Sequence, residues 1–177
     1  MKDIANTPLV SIICSTYNHG LYISQCLDGF LMQKTNFPFE ILIHDDASTD
    51  NTPDIIREYE HNQPQVIRPI YQKENKYSKK EDIFAKYQCS RVRGKYIAIC
   101  EGDDYWIDPL KLQKQIDFLE NNPDYGMIYT TSKVYNQKEG KIEEDIIGRE
   151  FNGYIELLSG NCIPTLTTCI RSSLVME

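Results

Sequence analysis

Apolar residues fall along this chain in two alternating rhythms. Leu9-Val10-Ser11-Ile12-Ile13-Cys14 is a short β-branched run between Pro8 and the polar Tyr17-Asn18-His19-Gly20, the signature of a buried strand that runs into a loop. Ile23, Cys26, Leu27, Phe30 and Leu31 then recur at helical spacing, which predicts a helix over 21–33. Phe39–Ile43 reads as a second strand, ending at His44-Asp45-Asp46. Thr52 is the expected N-cap of the next helix, with Pro53 at its first position and Ile55, Ile56 and Tyr59 along it. Val66–Tyr71 is a weaker third strand, followed by a polar stretch over 72–80 and an expected helix over 81–92. Gly94 would end that helix as a left-handed cap. Tyr96–Cys100 is a fourth strand, ending at Glu101-Gly102-Asp103-Asp104. Asp108-Pro109 would cap and open a helix that carries Leu112, Ile116 and Leu119 on one face, with Pro123 just beyond it.

Residues 125–135 are strand-like again. Residues 138–150 form a charged loop or hairpin turn, 151–158 a short helix and 165–170 one more strand. Strands that alternate with helices imply an α/β fold with a mainly parallel sheet covered on both faces. In such sheets ligands bind beyond the carboxyl ends of the strands. Three strands here end in polar clusters, so one rim should gather Ser15, Thr16, Tyr17, Asn18, Asp45, Asp46, Glu101, Asp103 and Asp104.

At 177 residues, the chain suits one domain with its own core. Its net charge of -7 argues against nucleic acid as the main partner but allows an anionic ligand held through a cation. No apolar run reaches the length of a membrane span, and the polar N-terminus is unlike a signal peptide. Six cysteines without a C-x-x-C pair read as reduced core thiols of a cytosolic protein rather than as a zinc site.

Adjacent aspartates after a strand are common in turns. Asp103 and Asp104 invite a second reading, because Asp108 already serves the next helix. Two spare carboxylates repel unless they share a proton or a cation. Mg²⁺ or Mn²⁺, held by one or two carboxylates and by substrate phosphates, answers that repulsion. A metal on a diphosphate stabilises charge on a departing nucleotide. That chemistry alone also fits a nucleotidyltransferase or a phosphohydrolase. A nucleotidyltransferase, however, normally carries a glycine-rich basic loop after its first strand, and Ser15–Gly20 has one glycine and no Lys or Arg.

The order of motifs narrows this further. Pro8–Asn18, then Glu40–Asp50 with Ala47 where glycine is more usual, then Arg93–Ile97 ahead of Glu101–Trp106, together resemble family 2 glycosyltransferases of the GT-A fold over residues 7–135. The resemblance implies an inverting transferase that binds a nucleotide-sugar, UDP being the usual carrier. It places residues 7–135 in the donor-binding part of one domain and 136–177 at the start of the acceptor side. Ser15, Tyr17, Asn18, Asp46 and Asp103 would contact the nucleotide, with the Asp46 carboxylate accepting from a base N–H. Lys80 would lie near the nucleotide or diphosphate. Asp104, with Asp103, would hold the metal, while Glu101 stands where many members carry Asp.

The general base expected on the acceptor side is a carboxylate farther downstream than Glu177. The resemblance therefore implies a C-terminally truncated chain that binds a donor and transfers poorly. A glycan or lipid-linked acceptor, in cell-surface polysaccharide assembly, and a cytoplasmic site near the inner membrane face follow by the same analogy. A binding module of the same fold without catalysis is the remaining alternative.

Overall fold

The computed structural model describes residues 7–151 and 153–176. The polar N-terminal stretch, Asn152 and Glu177 lie outside them. The elements run β1 (Val10–Thr16), α1 (Ile23–Leu31), β2 (Phe39–Asp45), α2 (Thr52–Asn62), β3 (Ile67–Tyr71), β4 (Tyr96–Ile99), α3 (Lys111–Asn121), β5 (Met127–Ile128), β6 (Ser132–Asn136), β7 (Lys141–Ile147), α4 (Tyr154–Ser159) and β8 (Cys169–Arg171).

Six strands form one sheet in the order β3-β2-β1-β4-β8-β5. The first four are parallel, and β8 runs antiparallel to both β4 and β5. β6 and β7 pair as a separate hairpin. Pro69 is tolerated because β3 is an edge strand.

Side-chain alternation sorts β1 between two cores. Val10, Ile12 and Cys14 join Ile23, Leu27 and Phe30 of α1 and Leu112, Ile116 and Leu119 of α3. Ile13 faces the other way, onto Leu42, Ile97 and Val92. Each fully buried aliphatic or phenyl side chain contributes roughly 1.5–3 kcal/mol.

Several expected boundaries move, each for a local reason. Thr52 is the first residue of α2 rather than its cap; Asn51 takes that position. The Thr52 hydroxyl and amide both donate to Asp50 Oδ1, at 2.6 and 2.9 Å, so Asp50 ties off the helix start. Asp108 likewise closes a turn ahead of α3: its Oδ1 accepts the Leu110 N–H at 2.9 Å, and the helix begins at Lys111.

Gly94 is not left-handed. Glycine is needed there because a Cβ would meet the Ser11 backbone nitrogen at 2.6 Å. The 81–92 helix is a π turn over Phe84–Gln88 and a 3-10 turn over Cys89–Arg91. From this segment Gln88 donates to the Cys14 carbonyl at 3.0 Å and Arg91 to the Ile43 carbonyl at 3.3 Å. The 125–135 strand divides into β5 and β6, which belong to different sheets. Thr165–Thr167 is a 3-10 turn, and only Cys169–Arg171 pairs as a strand.

Candidate functional site

β1 lies between β2 and β4, so three strand ends are neighbours at one rim. Two backbone bonds fasten them. The Asp46 N–H donates to the Thr16 carbonyl at 2.9 Å, and the Gly102 N–H donates to the Ser15 carbonyl at 3.0 Å. The structure thus brings together the Ser15–Asn18, Asp45–Asp46 and Glu101–Asp104 clusters, as the sequence requires. Ser15 is half-buried and Tyr17 is exposed, so the phenol is open to a partner at the rim.

The loops after β1 and β2 brace each other. The Asn18 N–H donates to Ser48 Oγ at 2.9 Å, and Asn18 Oδ1 accepts the Thr49 N–H at 2.7 Å. Asp50 Oδ2 accepts the Gly20 N–H at 3.0 Å. Asn18 therefore has a bracing task alongside any ligand contact. Asn18 and Ala47 both hold left-handed backbone, φ 55° and 63°, a conformation that disfavours side chains with a Cβ. Glycine adopts this conformation without that cost, in keeping with the glycine that the family resemblance leads one to expect at position 47.

Asp46 is buried, and its carboxylate is already in use. One oxygen accepts the Lys76 N–H at 2.7 Å and the other the Tyr77 N–H at 3.0 Å. Its carbonyl accepts from Asn75 Nδ2 at 3.2 Å. Lys80 follows this anchored segment; it is exposed and left-handed at φ 59°.

The carboxylates of the third cluster are crowded and partly buried. The Asp104 carboxyl is pushed up from 3.8 to about 6, first by burial, then by the charges of Asp103 and Glu101, with His19 opposing. Burial, reinforced by Asp103, also raises Glu101. Among the described residues no hydrogen-bond donor engages the Asp104 carboxylate. A cation would relieve this crowding, and oxygen donors suit a hard one. No set of three or more His, Cys, Asp or Glu side chains among the described residues is arranged to hold a metal alone. The residues present therefore fit an ion completed by ligand oxygens and water.

Two further rim groups, His19 and the expected rim residue Thr16, were given no role from the sequence. The Nδ1 of His19 is buried without a hydrogen-bond partner, 3.8 Å from Asp103 Oδ1. The Thr16 hydroxyl is buried beside it in the same state. A Cβ on Gly102 would meet both, at 2.7 Å from Thr16 Oγ1 and 3.0 Å from His19 Nδ1. His19 follows the same strand end as Tyr17, which was the available clue.

Trp106 and His44 belong to the core. The Trp106 indole donates to the Leu166 carbonyl at 2.8 Å and packs edge-on against Phe30. His44 lies beside Tyr87 and within 3.2 Å of Gln72 Nε2, and burial lowers its pKa. All six cysteines are free and buried. Cys26 donates to the Glu101 carbonyl at 3.4 Å, supporting the carboxylate loop from below.

Known proteins resemble this chain in sequence and fold. The family model described as glycosyl transferase family 2 matches residues 11–175. A Mycobacterium tuberculosis protein of uncharacterized function is 43% identical over 137 residues, 76% of this chain and 38% of its own length. TuaG of Bacillus subtilis, provisionally assigned as a teichuronic acid biosynthesis glycosyltransferase, is 30% identical over 163 residues, 92% of this chain and 62% of its own. The chain thus spans well under half of the mycobacterial relative and less than two thirds of TuaG. Staphylococcus aureus TarS 1–349, solved with UDP, superposes with a TM-score of 0.68 at 20% identity, over 94% of this chain and 47% of its own. The mannosyltransferase PcManGT from Pyrobaculum calidifontis, solved with GDP-Man and Mn²⁺, gives 0.59 at 24% identity, over 69% of this chain and 35% of its own. Those two share the fold. No helix among the described residues is long and apolar enough to cross a membrane. The family match over nearly the whole chain, joined to the sheet order and the rim, makes this chain a member of glycosyltransferase family 2.

Proposed function

We propose that residues 7–135 bind the donor of an inverting sugar transfer, a nucleoside diphosphate sugar held through Mg²⁺ or Mn²⁺. The observation that carries this reading is the Asp104 carboxylate, crowded by Asp103 and Glu101 and without a hydrogen-bond donor, on the loop that the Gly102–Ser15 backbone bond fastens to the end of β1, where Tyr17 is exposed. UDP is the preferred carrier, in keeping with the ligand named for TarS. Mn²⁺ is named with PcManGT.

In this reading Tyr17 flanks the base, Ser15 and Asp103 meet the nucleoside and ribose, and Asp104 provides the protein's oxygen to the cation. Lys80 lies within reach of the diphosphate. A bound divalent cation neutralises charge on the departing diphosphate. The chain's own task is to orient the donor so that the anomeric carbon faces the acceptor. There the acceptor oxygen–carbon bond forms as the carbon–phosphate oxygen bond breaks, and the acceptor's proton passes to a carboxylate base. The acceptor class is a glycan or a lipid-linked glycan in cell-surface polysaccharide assembly, in keeping with the teichuronic acid biosynthesis named for TuaG, and the reading puts the transfer on the cytoplasmic side.

Calorimetry with UDP, GDP and dTDP, each with and without Mn²⁺, tests this. Metal-dependent binding of one nucleotide is expected. Binding of none of the three would favour a module that has kept the fold and lost the ligand.

A further inference from the structure

The segment after β3 is fixed to the rim at Asp45 and, for its 75–81 turn, at Asp46. Gln72 continues β3 alongside β2, its N–H donating to the Asp45 carbonyl at 2.9 Å. The chain then folds on itself. Asn75 Oδ1 accepts the Ser78 N–H at 2.7 Å, and the Asn75 carbonyl accepts the Ser78 hydroxyl at 2.9 Å. The N–H groups of Lys79 and Glu81 donate to the Lys76 carbonyl at 3.1 and 3.2 Å, and that of Lys80 to the Tyr77 carbonyl at 2.9 Å. This compact turn meets the rim at Asp46, through the three bonds from Lys76, Tyr77 and Asn75 at 2.7, 3.0 and 3.2 Å.

A carboxylate with an amide N–H on each oxygen makes two charge-assisted bonds. Asp46 is only 3% exposed, so a nucleobase would have to displace or share those amides to reach it. The turn itself stands at the ligand side, because the Asp46 backbone is bonded to Thr16, the residue before Tyr17.

We propose that Asp46 serves donor binding as a positioning residue: its carboxylate clamps the 75–81 turn, and the clamped turn is the wall against which the nucleoside packs. This rests on the donor-site reading above and refines it. Asp46 then governs whether the pocket exists, not which base edge is read. Uracil presents an N–H at ring position 3 and cytosine an acceptor. A direct contact to Asp46 would therefore separate UDP from CDP, whereas a clamp supports both alike.

The test combines amide hydrogen exchange of the chain with UDP and CDP titrations in Mn²⁺, on wild type, Asp46→Asn and Asn75→Ala. Asp46→Asn puts an NH₂ where an acceptor oxygen faced an N–H. Exchange at Lys76 and Tyr77 should rise about tenfold or more, the effect of losing a charge-assisted bond. Affinity for UDP and CDP should fall by similar factors, leaving their ratio within about twofold. Asn75→Ala leaves the carboxylate intact and should move both readouts the same way by a smaller factor. It keeps the test decisive if Asp46→Asn does not fold.

A UDP-to-CDP ratio changed about tenfold by Asp46→Asn, or exchange at Lys76 and Tyr77 unchanged in every folded variant, would overturn the clamp while wild-type binding upholds the donor site. Wild type that binds neither nucleotide overturns the donor-site reading and the clamp's role with it.

Discussion

The backbone of Gly102 runs so close to Thr16 that a Cβ at position 102 would stand 2.7 Å from the Thr16 hydroxyl oxygen. Glycine is required here by crowding, since its φ is not in the left-handed region. Gly102→Ala must push the Glu101–Asp104 loop away from β1. The expected result is a stability loss of about 1–3 kcal/mol, the usual cost of overpacking, and Mn²⁺-dependent nucleotide binding weakened about tenfold or more. Urea denaturation and calorimetry read the two effects separately.

The raised Asp104 carboxyl gives a pH dependence with a definite sign. Its folded value of about 6 exceeds the ordinary 3.8, so the folded state binds the proton more tightly than the unfolded one. Stability from this group is therefore greatest below the ordinary value and declines as pH rises from about 4 through about 6. Asp104→Asn should stabilise the metal-free chain at pH 7 by about 1 kcal/mol, after allowance for solvent screening. It should also flatten the thermal-stability profile across that window. Metal affinity should fall as pH drops through about 6, because the proton competes for the same oxygens.

At the opposite end of the sheet, Glu40 is buried and accepts from Ser11 Oγ at 2.7 Å and from Arg93 Nε and a terminal guanidinium nitrogen at 2.9 and 2.6 Å. Removing one member of such a set leaves the others unpaired. Glu40→Ala should cost about 3 kcal/mol in urea denaturation. Nucleotide affinity at a temperature where the variant stays folded should be unchanged, because Glu40 lies near the start of β2, away from the rim.

Ala47 and Lys80 both occupy left-handed backbone, which costs an L residue about 1–2 kcal/mol. Glycine relieves that cost but adds freedom to the unfolded chain. Ala47→Gly should therefore raise stability by about 0.5–1 kcal/mol with nucleotide binding intact. Lys80→Gly should give a similar gain but weaken diphosphate binding, because it removes the ammonium that the donor-site reading places near the diphosphate. Thermal unfolding with and without UDP and Mn²⁺ reads both.

The strands were legible because they are short β-branched runs that finish in polar residues, and the sheet order followed from their alternation with helices. The structure carries β1 and β2 on to Thr16 and Asp45, past the last apolar residue, because parallel pairing there does not depend on side-chain character. The 81–92 segment was misread because helical periodicity does not distinguish an α-helix from wider π winding. Gly94 was misread because a glycine required by a neighbouring strand looks the same in sequence as a helix cap. The carboxylates of the rim could be found from strand ends alone. The Asp46 bonds to Lys76 and Tyr77 could not, since they join a side chain to backbone amides thirty residues away, and amides carry no sequence signal. His19 carries no motif that marks it in the sequence, although its neighbour in space is Asp103.

The measurement that bears most directly on the account is an electron paramagnetic resonance titration of free Mn²⁺ against the chain, with UDP present and absent. The chain alone should take up little Mn²⁺, since among the described residues no full ligand set is assembled. Chain and UDP together should take up more than UDP does by itself, and Asp104→Asn should abolish that excess. Uptake by chain and UDP no greater than by UDP alone, or an excess that survives Asp104→Asn, would contradict the assignment of this rim as a metal-assisted donor site.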